Sequence, residues 1–174
     1  MYSNRISEKL HEEHLATLAL LERIAHFIAK KDPPETADIG ARRLLIDLAA
    51  AFESEVWNHF DFEEKYLFGY FDASGDTEMA QHLMTEHEQI RDVGERTITM
   101  ARAAASSGFS SSDWNQFRIL AGQLAEQLTS HVHKEEGVLV PLLQDAMESE
   151  SEEQLYMIYV MGDENIEVKR PAGH

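Results

Sequence analysis

The sequence predicts an all-α protein: an up-down-up-down four-helix bundle followed by a short C-terminal helix. Three observations predict it. Glycine and proline are scarce, at 9 and 4 of 174 residues, and they gather with serine and aspartate at a few points. Between those points apolar residues recur three and four apart, which is the period of one helix face. The breaks, at residues 31–34, 72–76, 106–112 and 162–165, are short enough to join antiparallel neighbours.

The first helix is expected over residues 4–30, with a stripe of Leu10, His14, Thr17, Leu21, Ile24 and Ile28. The second, over 37–71, carries Leu45, Leu48, Phe52, His59, Glu63, Tyr66 and Tyr70. The third, over 77–105, carries Ala80, Leu83, His87, Ile90, Gly94, Thr97 and Ala101. The fourth, over 113–147, carries Phe117, Leu124, Leu128, His131, Glu135, Val138 and Leu142, and Pro141 is expected to bend or end it. A packing helix over 152–161 and a tail over 165–174 complete the chain, so residues 1–147 read as the bundle and 148–174 as an appendage.

Composition narrows the function. Lys and Arg number 15 against 32 Asp and Glu, a net charge of −17. That balance argues against nucleic-acid binding and against adhesion to an anionic membrane, since both need a basic face. With no cysteine, disulfides, thiolate metal sites and cysteine nucleophiles are excluded, and any metal must be held by nitrogen and oxygen. No apolar leader and no run near the roughly 18 apolar residues of a spanning helix is found. A cytoplasmic location is therefore expected, and a monomer, because the apolar faces are satisfied within one bundle.

Each stripe is interrupted near its middle by a histidine, and two of them by a glutamate as well. Buried polar groups, carboxylates above all, need compensation. A shared cation supplies it. A histidine and a glutamate four residues on lie about 40° apart around a helix and about 6 Å along it, so His59 with Glu63, and His131 with Glu135, can aim at one centre. Three of the nine histidines have such a glutamate. The third pair, His82 and Glu86, is off the stripe that holds His87 and is read as surface. His59 and His87 are about level across the break at 72–76, and His87 and His131 across the break at 106–112. His14 reaches that level if the second helix starts near Gly40. Imidazole with carboxylate suits iron, manganese or zinc. The competing reading is a hydrogen-bonded polar layer, or a partly open groove, in a metal-free helical interaction module.

Four segments, His11-Glu12-Glu13-His14, His59-Phe60-Asp61-Phe62-Glu63-Glu64, Glu86-His87-Glu88-Gln89-Ile90-Arg91 and His131-Val132-His133-Lys134-Glu135-Glu136, resemble the four motifs of the hemerythrin-like HHE cation-binding domain. The likeness spans residues 7–143. It implies a non-haem pair of iron ions with an oxo or hydroxo bridge, held by His14, His59, Glu63, His87, His131 and Glu135, the glutamates bridging. Zinc or manganese can substitute. Oxygen-carrying hemerythrins have a second histidine four residues after the one in the third helix, where this chain has Arg91, and an aspartate five residues after the last histidine. The ligand set here is more similar to the bacterial repair-of-iron-centres proteins, although their cysteine-containing N-terminal segment is missing. The resemblance implies a protein that binds O2, NO or peroxide for sensing, storage or detoxification. The alternative it carries is iron donation or iron–sulfur repair under nitrosative or oxidative stress.

Around those six, His11 is open between a seventh ligand and a capping or exposed residue. Glu55 and Gln127, each four residues before a ligand histidine, are candidates for hydrogen bonds to imidazole N–H groups. Tyr66 and Tyr70 read as core. His26, His82, His133 and His174 read as surface or tail.

Overall fold

The computed structural model describes residues 4–162, apart from the side chain of Glu55. The expected tail at 165–174, with His174, and the expected role of Glu55 lie outside the described residues.

Helix α1 is Arg5–Ile28. Helix α2 covers 39–74 as the α-helical stretches Ile39–Ala51, Trp57–Phe62 and Gly69–Ser74, with wider π turns at Phe52–Val56 and Glu63–Leu67. Helix α3 is Thr77–Ser107. Helix α4 covers 111–146, as Ser111–Lys134, a π turn at Glu135–Leu139, and Val140–Ala146. Helix α5 is Ser149–Met161. Asn4, Asp38, Asp76 and Ser110 cap α1 to α4, each side chain accepting the backbone N–H three residues on. Gly75, at φ 87°, supplies the left-handed residue that ends α2.

Helix α1 packs on α2 and α4, and α3 on the same two, so the four form an antiparallel ring. Two apolar clusters fill it. One gathers Ile24, Leu48, Phe52, Trp114, Phe117 and Leu124. The other gathers Ile6, Leu10, Phe71, Leu83, Leu139 and Leu143, and α5 adds Leu155 and Ile158 to it. His14, His59, Glu63, His87, His131 and Glu135 lie between the clusters. No helix among the described residues is long and apolar enough to cross a membrane.

The stripes of α1 and α3 hold nearly as expected, and those of α2 and α4 slip. Past Glu63 the buried residues are Leu67, Phe68, Tyr70 and Phe71, with Tyr66 half-buried; past Glu135 they are Leu139, Val140 and Leu143, with Val138 and Leu142 half-buried. The cause is the same in both helices. Each glutamate opens a π turn, its carbonyl accepting from the fifth residue on, Phe68 in one case and Val140 in the other. The extra residue rotates everything downstream by about one position, and such turns favour functional sites. Pro141 neither ends nor breaks α4. It falls in the first turn of the stretch after the π turn, where its missing N–H costs least.

Candidate metal centre

The six residues singled out by the stripes meet in one place. His14 is 2% exposed, His59 6%, and Glu63, His87, His131 and Glu135 are fully buried. All four imidazoles turn Nε2 inward: His14 and His59 approach each other at 3.2 Å, and His87 and His131 at 2.9 Å. The two pairs face each other across the glutamates. Glu135 sets Oε2 3.1 Å from His14 and Oε1 2.9 Å from His131 and 3.5 Å from His87. Glu63 sets Oε1 3.1 Å from His59 and Oε2 3.5 Å from His87. Each carboxylate thus gives one oxygen to each side.

These atoms fall into two overlapping groups, His14–His59–Glu63–Glu135 and Glu63–His87–His131–Glu135, each with its ligand atoms within 4.8 Å of one another. No oxygen of Glu63 or Glu135 receives a hydrogen bond of normal geometry, although all four are buried. Carboxylates in that position are costly without a partner. Four such oxygens beside four inward-turned Nε2 atoms could hold a metal cation.

The outer edge of each imidazole is equally ordered. Nδ1 of His59 is 2.8 Å from Glu13, that of His87 2.7 Å from Glu64, that of His131 3.0 Å from Glu86, and that of His14 2.6 Å from Glu136. The support runs once round the bundle, each helix sending a glutamate to the histidine of the next, and α4 closing the cycle on α1. A carboxylate only accepts, so Nδ1 carries a proton, and a ring in its neutral form presents the Nε2 lone pair to the centre. Polar groups at the rim hold those glutamates: Tyr159 and Lys9 hold Glu13, Arg91 holds Glu64 and Asp61, and Lys134 and His82 hold Glu86.

Of the outer residues, Gln127 and Glu86 differ from expectation, and His11 is open in the sequence. His11 stands outside both groups; its Nδ1 shares Glu136 with His14, 3.0 Å away. Gln127 does not support His131, because the inward-turned ring presents Nδ1 to the neighbouring helix, where Glu86 is. Glu86, read as surface, is therefore part of the site, while His82 is half exposed. A signal for the four supporting glutamates does exist in the sequence. Each adjoins a residue of the cluster, as Glu13-His14, Glu63-Glu64, Glu86-His87 and Glu135-Glu136.

Charge follows this geometry. Burial, and then the charge of Glu135, push the Glu63 carboxyl up. Burial acts the same way on Glu135, but His131, His14 and His87 outweigh it and hold that carboxyl well below its usual range. Burial lowers His131, yet Glu135 and Glu86 reverse this and bring it to about 9.

The two halves of the site differ in their walls. Phe60 stacks on His87 with ring centres 3.7 Å apart and planes 6° from parallel, and Phe68 lies 5.3 Å from the same ring. On the other side a cavity of about 20 Å³ opens against His14, His59 and Glu135, with Thr17, Val56 and Leu128 around it. That is room for about one water-sized molecule.

The sequence matches the model of a family, Hemerythrin HHE cation binding domain, over residues 5–143. No curated protein matches the chain. The match and the buried histidine and glutamate cluster together mark a metal-binding domain.

Proposed function

The chain belongs to the hemerythrin HHE cation-binding domain family, and from that premise we propose that it is a non-haem di-iron protein that binds O2, NO or peroxide. The observation that carries the reading is the pair of four-residue groups sharing Glu63 and Glu135, with one oxygen of each carboxylate toward each histidine pair. In this reading His14 and His59 would hold one ion, His87 and His131 the other, and Glu63 and Glu135 would serve both. Imidazole and carboxylate also suit manganese and zinc, which compete for the site when iron is scarce.

Bound iron supplies a reversible one-electron couple and coordination positions beyond the four donors that the protein gives each ion. The protein supplies the rest. Glu13, Glu64, Glu86 and Glu136 fix the tautomer and orientation of the imidazoles and raise their basicity. Phe60 and Phe68 keep water from the His87 side, and the small cavity beside His14 and His59 leaves room there for about one water-sized molecule. Binding for sensing, storage or detoxification follows from reversible occupancy of that cavity.

A second reading, iron donation or repair of damaged iron centres, is favoured by the low number of protein donors per ion, four in each group. Anaerobic protein loaded with iron(II) and exposed in turn to NO and O2 tests the first. Stoichiometric spectral changes, reversed on removal of the gas, support it. Iron that stays bound while neither gas changes the spectrum refutes it, and rapid loss of iron to a chelator favours the second reading.

A further inference from the structure

Helix α5 lies beyond the residues that match the family, yet it reaches the metal centre. Tyr159 donates its hydroxyl proton to Oε2 of Glu13, the same oxygen that accepts from Nδ1 of His59. The other oxygen of Glu13 pairs with Lys9 at 3.3 Å. Glu13 also stands between two spaces. Its side chain lines the cavity of about 20 Å³ beside His14 and His59, and it lines a groove of about 510 Å³ on the surface between α1, α2 and α5. Ser54 of α2 and Tyr159 of α5 line the same groove.

Around His87 and His131 the approaches carry packed rings or ion pairs. Phe60 and Phe68 cover His87. Arg91 bridges Glu64 and Asp61 at 2.6 Å each, and Lys134 pairs with Glu86. Glu13 is held by Tyr159, His59 and the partly exposed Lys9, and about a quarter of its side chain is exposed.

We propose that small neutral ligands reach the metal centre through the groove between α1, α2 and α5, past the Glu13 side chain, and that Tyr159 holds that passage shut. The inference rests on the proposed function, since it takes a metal-bound ligand as the molecule that passes. Rotation of Glu13 about its flexible side chain joins the groove to the cavity. The carboxylate at the mouth disfavours anions, so O2, NO and undissociated peroxide pass more readily than charged ligands. Without the Tyr159 hydroxyl, Glu13 keeps its bonds to His59 and Lys9 but swings out more often. The rate of ligand entry then follows the open fraction.

The test is stopped-flow NO binding to the full chain loaded anaerobically with iron(II), as wild type, Tyr159→Phe and Ser54→Trp. Tyr159→Phe is expected to raise the association rate about tenfold, the shift that loss of one hydrogen bond to a charged group produces. Ser54→Trp places a large ring in the groove and is expected to lower the rate severalfold. Iron content stays at the wild-type value in both. Opposite changes from two variants on one groove separate a passage from a general loosening of the fold. Wild type that takes up iron and binds NO, with both variants at the wild-type rate, overturns this inference alone. Wild type that takes up no iron, or binds no NO, overturns the proposed function and this inference with it.

Discussion

Replacing Glu63 by leucine separates what the buried carboxylates cost the fold from what they do for the metal. Glu63 is fully buried and accepts no hydrogen bond of normal geometry. Burial and the adjacent Glu135 charge push its carboxyl up, so at neutral pH the ionised form opposes folding. Leucine keeps most of the volume and removes that charge. Exchanges of whole buried ion pairs for apolar groups of similar size stabilise by about 1–4 kcal/mol, and the lower half of that range applies here because His59, 3.1 Å away, loses a carboxylate partner. Taking about 2 kcal/mol, the Tm of the chelator-treated protein should rise by about 4–8 °C for a chain of this size. Glu135→Leu should do the reverse. That carboxylate is held well below its usual range by His131, His14 and His87, and its loss should cost about 3 kcal/mol by stranding buried cations. With metal at about a thousand times its Kd the wild type gains about 4 kcal/mol. Glu63→Leu gains nothing, because both ligand groups lose the same residue. Thermal unfolding by circular dichroism, with chelator and with metal, reads all of this. The order of wild type and Glu63→Leu should invert between the two conditions. A Glu63→Leu protein that is less stable than wild type in chelator, or that still gains from metal, refutes the reasoning.

Metal stoichiometry should follow ligand sharing: His87→Ala touches one group and should leave about one ion per chain, whereas Glu135→Ala touches both and should leave none, by elemental analysis after gel filtration. Metal uptake should strengthen as pH rises toward 9, since His131 holds a proton up to about 9 in the metal-free protein and must release it to bind. By the same linkage His131 stabilises the metal-free fold fully below its unfolded pKa of about 6.5 and loses that contribution as pH rises through 9. Zinc titration calorimetry in two buffers of different ionisation enthalpy and urea unfolding across that range check the two signs. Gly94→Ala should destabilise by about 1–3 kcal/mol in urea, because the new methyl would stand 2.7 Å from the Trp57 ring, and Trp57 fluorescence should shift with it.

What was legible in the sequence is what helix periodicity carries. His14, His59, Glu63, His87, His131 and Glu135 stood out because each interrupts an apolar stripe, and a polar residue on such a stripe has few bland explanations. Their convergence followed from similar distances to the breaks, and α2 does start at Ile39, where His14 needed it. The supporting glutamates were marked only by standing next to the six, and adjacency does not say which histidine of a neighbouring helix each one meets, because pairing between helices has no period within one helix. Gln127 was suggested by its place four residues before His131, but the ring it was meant to hold looks away toward Glu86. The π turns at Glu63 and Glu135 were hidden for another reason. They change the period at the residue whose position the period was used to infer, so Tyr66, Val138 and Leu142 were placed one position off the buried face. Pro141 was the one local mark of the change in α4, and α2 has no such mark. Tyr159 was invisible too, since nothing in the C-terminal segment shows which face of the bundle it covers.

The most direct test of the account is the number of iron ions that the wild-type chain holds. Protein reconstituted anaerobically with iron(II), freed of excess metal and analysed for iron and protein should give two ions per chain, one for each histidine pair across the shared glutamates. A folded chain that retains no stoichiometric metal contradicts the account and leaves a polar layer in a helical interaction module in its place.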